Sequence, residues 1–143
     1  MDSQRTMNVT FSESLPAEKE YFELFETTGW NEDYNLTSEE LLQSIQNSSY
    51  CVSAYKNEKL IGFGRMLSDG IVHAVLFDLI ILPEFQRNGI GSMIMRKILD
   101  ECKRNKIRDI QLFCASGKIE FYEKFGFKAR SENGPGMEMR NRY

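Results

Sequence analysis

Two rhythms of apolar residues share this chain. From Tyr50 to Leu82 they come in short runs and in alternation, the pattern of strands; on either side they recur every three or four residues, the pattern of helices. Met7–Phe11 reads as a short edge strand. A helix is expected from Pro16 to about Thr27, with Tyr21, Phe22, Leu24 and Phe25 on its apolar face and Pro suited to the first turn. Gly29-Trp30-Asn31-Glu32-Asp33 reads as a loop. Thr37 or Ser38 caps a second helix, with Glu39 and Glu40 in the first turn and Leu41, Leu42 and Ile45 facing inward. Strands at Tyr50–Tyr55 and Leu60–Leu67 flank the hairpin turn Lys56-Asn57-Glu58-Lys59. Asp69-Gly70 signals a second hairpin, leading to a long strand at Ile71–Leu82.

The second half has the rhythm of a crossover. Ile90, Met93, Ile94, Ile98, Leu99 and Cys102 share one face of a helix from Gly89 to about Asn105. A strand is expected at Ile107–Cys114 and a short helix from Gly117 to Phe125, ended by Gly126. Phe127–Arg130 and Met137–Arg140 read as closing strands around Gly134-Pro135-Gly136. Hairpins followed by strand–helix–strand predict one α/β domain over 1–143: a mixed sheet with helices on both faces.

Composition narrows the function classes. No run approaches the roughly 18 apolar residues of a membrane span, and the first residues show no apolar signal region. Three cysteines, Cys51, Cys102 and Cys114, lie far apart among apolar neighbours, which suggests reduced thiols in a cytoplasmic protein. A single histidine excludes a multi-histidine metal site. Charge is unevenly split: residues 1–50 carry a net −8 and residues 51–143 a net +5. The acidic half suits a cationic substrate, or is a set of solvated helix faces. There is no basic stripe, and with a pI near 5.3 nucleic acid is not an expected partner, nor is a membrane.

The candidate chemistry centres on residues 78–92. An apolar run ends at Pro83; a polar turn follows, and Gly89-Ile90-Gly91-Ser92 opens the long helix. Two glycines let a ligand approach the backbone, and a helix start offers unpaired N–H donors at its positive end. That suits a phosphate or pyrophosphate, with Gln86 and Arg87 adding side-chain donors. Position 94 is Ile, so this is not a dinucleotide Gly-x-Gly-x-x-Gly, and the Walker pattern is absent.

Gln86-Arg87-Asn88-Gly89-Ile90-Gly91 resembles the Gln/Arg-x-x-Gly-x-Gly/Ala signature of GNAT N-acetyltransferases. Phe121-Tyr122-Glu123-Lys124-Phe125-Gly126-Phe127 resembles the segment closing the same domain. The resemblance covers residues 50–139. The segment Gly134-Pro135-Gly136-Met137 resembles a subgroup related to plastid arylalkylamine acetyltransferases. The resemblance implies a seven-stranded, mostly antiparallel sheet, four helices, and acetyl-CoA seated between two splayed parallel strands. It implies direct transfer of acetyl to a primary amine, with no metal.

By that resemblance, Gln86, Arg87, Asn88, Gly89, Ile90, Gly91 and Ser92 hold the pyrophosphate, and Phe121 adds to the cofactor site. Leu79, Ile80 and Ile81 offer a free strand edge to pantetheine, with an N–H near Ile81 polarising the acetyl carbonyl. Tyr122 matches the tyrosine that protonates the leaving thiolate; its spacing with Ile119 and Phe125 equally fits a core position. Asp78, polar in an apolar strand, is a candidate base, an ammonium partner or a structural acceptor. Trp30 and Tyr34 lie where the family builds its acceptor pocket, and an aromatic pair there holds a cationic or aromatic amine, or covers the core edge. Arg65 and Asp69 are expected to pair with each other, His73 to be a surface residue, and Cys114 to be a buried apolar thiol. Ala115 stands where many members have a cofactor-contacting Asn. The acceptor expected is a small amine; protein lysines or N-termini, and a non-catalytic acyl-CoA sensor, are alternatives. A homodimer is an open expectation.

Overall fold

The computed structural model describes residues 8–143. Five strands form one sheet in sequence order: β1 (Val9–Ser12), β2 (Tyr50–Lys56), β3 (Lys59–Ser68), β4 (His73–Ile81) and β5 (Asp109–Leu112). Pairing is antiparallel except for β4 with β5, which are parallel. The helices are α1 (Glu18–Glu26), α2 (Asn31–Tyr34), α3 (Ser38–Gln46), α4 (Ile90–Arg104) and α5 (Ile119–Glu123), with one 3-10 turn at Pro83–Phe85. The mixed α/β class and the crossover are as the sequence pattern implies.

Local chemistry explains most boundaries. Thr37 and Glu40 form a reciprocal capping box at the start of α3, and Leu41 and Ile45 are buried beneath it. Asn57 and Glu58 both have positive φ, the conformation that closes a two-residue hairpin in the sense of the sheet twist. In the β3–β4 loop, one oxygen of Asp69 accepts the N–H groups of Ile71, Val72 and His73. β4 therefore begins at His73 rather than Ile71.

The two faces of β3 carry different helices. Phe63 meets Tyr21 of α1 edge-on, with ring centroids 4.9 Å apart. Gly64 points the other way: a Cβ there would lie 2.7 Å from Ile94 and 3.2 Å from Ile98. The long helix α4 thus rests directly on the β3 backbone, and only glycine fits beneath it. Ile94, Met95, Ile98 and Cys102 are buried in that layer.

Several expectations are corrected. Two expected closing strands do not form: among the described residues there are five strands, not seven. Phe127–Arg130 and Met137–Arg140 are irregular, and Met137 and Met139 are exposed, so no burial rewards a strand there. The expected loop at 29–33 contains α2, which begins at Asn31, and there are five α-helices rather than four. α1 starts at Glu18, because Ala17 is still extended. Both β5 and α5 are shorter than expected. Of the expected edge strand, Met7 lies outside the described residues. Cys51 and Cys102 are buried, but Cys114 is exposed just beyond the end of β5.

Candidate functional site

Strand β4 builds the site by parting from its neighbours. It pairs with β5 from His73↔Asp109 to Leu76↔Leu112, and there β5 ends. β4 runs on to Ile81 with β3 on one side alone. Along that stretch the register with β3 also shifts: Arg65 faces Phe77 but Phe63 faces Ile80, so Gly64 opposes both Asp78 and Leu79. This is a β-bulge, and Asp78 takes a left-handed φ of 56° to make it.

The free edge presents usable backbone. Leu82 donates its N–H to Ile61 across the β3 side at 2.9 Å. Alternation along the strand then turns the N–H and C=O of Ile81, and of Leu79, toward the open side. Gln86 already reads that edge, its side-chain amide donating to the Ile81 carbonyl at 3.1 Å. The side chain of Ile80 is buried in the core.

Beyond Ile81 the chain turns into α4 with the backbone facing outward. Arg87 and Gly89 have φ of 66° and 81°, and Gly89 is the N-cap of α4 without any side-chain cap. Asn88 donates to the Phe85 carbonyl and fixes the turn. Among the described residues, no protein acceptor takes the N–H of Ile90, Gly91 or Ser92. These donors, at the positive end of a fifteen-residue helix, form an anion cradle. A Cβ on Gly91 would sit 3.7 Å from Phe121 and 3.8 Å from Ile81. Phe121 thus closes over the helix start, opposite the free edge. Apart from Ile80, whose side chain is buried and whose backbone turns toward β3, the sequence-predicted cofactor residues flank the free edge and the helix start, with donor chemistry that fits a pyrophosphate followed by an extended amide chain.

A cavity of about 400 Å3 adjoins this surface at the bulge. Trp30, the N-cap of α2, and Tyr34 at its end line it, with Asp78 and Leu79 from β4 and Tyr122 from α5. The structure thus gathers the predicted catalytic and acceptor residues around one space. Trp30 is braced edge-on against Phe25, with ring centroids 5.8 Å apart, while the residue as a whole remains 40% exposed.

Asp78 is not a free carboxylate. Its Oδ2 lies 2.7 Å from Nε of Arg65, with both side chains largely buried. Nη1 of Arg65 donates onward to the Ser44 carbonyl and Ser48 hydroxyl at the end of α3. Arg65 does not pair with Asp69, whose carboxylate is spent on its own loop. Beneath the pair, the hydroxyl of Tyr21 is buried without a hydrogen-bond partner among the described residues. Burial pushes the Tyr21 phenol well up, with the Asp78 charge adding to that and Arg65 opposing it.

Tyr122 is half-buried, and burial, followed by the neighbouring Cys114, raises its phenol above the ordinary value. It keeps its proton at neutral pH but is a weaker acid than a free phenol. It suits donating a hydrogen bond to a developing thiolate better than surrendering the proton early.

Residues 15–127 match the acetyltransferase (GNAT) family. The chain belongs to that family. It is 32% identical over 98 residues to an uncharacterized N-acetyltransferase of Pyropia yezoensis, covering 66% of this chain and 56% of that protein. It is 33% identical over 96 residues to a histone acetyltransferase of Glycine max, covering 67% of this chain and 41% of the other. The chain spans about half the length, or less, of these relatives. A GNAT-family protein of Streptococcus pneumoniae has the same fold, with a TM-score of 0.78 and 27% identity over 94% of this chain and 99% of that one.

Within this GNAT domain, several cavity residues were not singled out from the sequence as site residues, among them Phe77, Phe113, Asp33, Glu138 and Arg140. Phe77 and Phe113 stack with centroids 6.5 Å apart where β4 and β5 separate. Their place follows from the β4–β5 register, which sequence pattern alone does not supply. Among the described residues no cluster of side chains suited to a metal is found, and no helix is long and apolar enough to cross a membrane.

Proposed function

We propose that this protein transfers acetyl from acetyl-CoA to a primary amine by direct attack, both substrates being bound together. One observation carries the reading: the open β4 edge leads at one end into the anion cradle and at the other into a cavity holding Tyr122. A pyrophosphate on Gly89–Ser92 and an amide chain along Leu79–Ile81 bring the reacting end of the cofactor to that cavity. The bound cofactor supplies an activated acyl carbonyl and a thiolate leaving group. The Leu79 N–H, at the cavity end of that edge, stabilises negative charge on the carbonyl oxygen, an effect worth about 3–4 kcal/mol where such donors have been removed. Tyr122 donates to the departing sulfur. The Asp78 charge is answered by Arg65, so we assign Asp78 to shaping the bulge and to the field of the cavity, and the amine's proton leaves to water. The cavity suits a small amine, and unpaired thiols suit a reducing cytoplasm.

The test is CoA binding by calorimetry, together with a panel of amines followed by release of free CoA. Gly91→Trp should keep the fold and abolish CoA binding, since an indole at this position fills the space between Phe121 and Ile81. Unchanged CoA affinity in folded Gly91→Trp refutes the cofactor site. Tight CoA binding by the wild type with no turnover of any amine or peptide would make it a sensor. Turnover of peptides alone would make it a protein acetyltransferase, as its soybean relative is named.

A further inference from the structure

The mouth of the acceptor cavity already holds a cation, and that cation belongs to the chain itself. The guanidinium of Arg140, from the irregular C-terminal segment, sits over the ring of Tyr34 at 5.6 Å from its centroid. Its Nε is 3.4 Å from Glu138. The ring of Tyr34 and the carboxylate of Glu138 contact the Arg140 guanidinium, Asp33 adds a further negative charge to the lining, and all three line the cavity. The same cavity is also lined by Leu79 and Tyr122, both partly buried, beside the β4 edge where acetyl transfer would take place. The space is therefore polarised, with a cation-binding aromatic at its mouth and the reacting end within.

We propose that Tyr34 and Asp33 form a cation subsite, and that the acceptor is a small aliphatic diamine. One nitrogen reacts; the other, still protonated, replaces Arg140 on Tyr34. The proposal rests on the acetyl-transfer reading for which end of the cavity is reactive, but the subsite itself is defined by binding alone. Three features support it. Arg140 shows that a cation is accepted at this ring. Arg140 is 56% exposed and Glu138 72% exposed, so the contact is solvent-weakened and displaceable. Tyr34 is itself 49% exposed, leaving room for a competitor.

Trp30 is the only tryptophan in the chain, and it lines this cavity, so its fluorescence reports binding without turnover. The CoA-bound protein is titrated with 1,4-diaminobutane, with n-butylamine, and with a lysine-containing peptide. The diamine should bind more tightly than the monoamine. Arg140→Ala should tighten diamine binding by about two- to fivefold, the value of an exposed cation–aromatic contact, and should widen the diamine-to-monoamine ratio. Tyr34→Ala should weaken diamine binding by a similar factor with CoA affinity retained, and Tyr34→Phe should keep it. Equal affinity for diamine and monoamine, or an Arg140→Ala variant with an unchanged ratio, overturns the subsite. Tighter binding of the peptide than of the diamine overturns the small-molecule class. Diamine binding with these shifts but no acetylation upholds the subsite and instead refutes the acetyl-transfer reading.

Discussion

Arg65→Met removes the guanidinium from a carboxylate that the fold cannot hydrate freely. Asp78 and Arg65 are 18% and 13% exposed, and their contact is 2.7 Å. Removing one member of a fully buried pair costs about 3–5 kcal/mol, whereas a fully exposed pair is worth about 0–1 kcal/mol. The observed exposure places this pair between those limits, so Arg65→Met should cost about 2–3 kcal/mol. For a domain of this size that is roughly 5–10 °C in Tm. The sharper test is the double variant. Asp78→Gly deletes the orphaned charge and suits the left-handed φ of 56°, which costs an L-residue about 1 kcal/mol. Arg65→Met/Asp78→Gly should therefore be more stable than Arg65→Met alone, by about 1–2 kcal/mol. It should also recover part of any lost kcat/KM, because the bulge is kept. Urea unfolding and CoA-release kinetics on both variants measure this. A double variant no more stable than Arg65→Met would refute the orphaned-charge argument. A stable double variant with no detectable turnover would show that the carboxylate acts on the substrate directly.

Two further predictions concern tyrosines. Tyr122→Phe should lower kcat by roughly ten- to a thousandfold with little change in CoA affinity, measured by steady-state kinetics against a confirmed acceptor; an unchanged kcat returns Tyr122 to the core. Tyr21→Phe deletes a buried hydroxyl that has no partner, and should raise stability by about 1 kcal/mol, or roughly 2–4 °C in Tm. Because the Tyr21 phenol is raised in the folded state, its protonated form contributes stability in full below about pH 10 and loses it as pH climbs further. Tyr21→Phe should thus also resist alkaline unfolding better than the wild type, and a lower Tm at neutral pH would contradict the account.

What the sequence disclosed and what it hid divide along physical lines. The helix start at Gly89 was legible because positive φ and a helix N-terminus are local demands on residue type. The start of α3 was legible for the same reason, though the sequence left Thr37 and Ser38 as alternative caps and only the structure shows Glu40 answering Thr37. Arg65 misled, because Asp69 is four residues away in sequence while Asp78 is adjacent only through strand register and a bulge. The bulge itself leaves one mark in the sequence, a polar residue in an apolar run, which by itself also reads as a base. Helix α2 has four residues, too few to show a period. The C-terminal segment alternates like a strand but exposes its methionines, so its pattern has no burial behind it. Arg140 reached Tyr34 across more than a hundred residues, a contact that only the folded chain displays.

The early end of β5 has a thermodynamic consequence. Beyond Leu76 the backbone of β4 is a half-finished ladder, and an unfinished ladder is also where foreign strands add and aggregation begins. A ligand that completes it serves as a removable sixth strand. Its binding is then part of the domain's folding free energy, contributing about 2.7 kcal/mol when free ligand stands at a hundred times its dissociation constant. On the proposed reading that ligand is the coenzyme, and a domain without it would leave this edge open. Abundance of this protein would then follow the acyl-carrier supply, with no dedicated regulator between them.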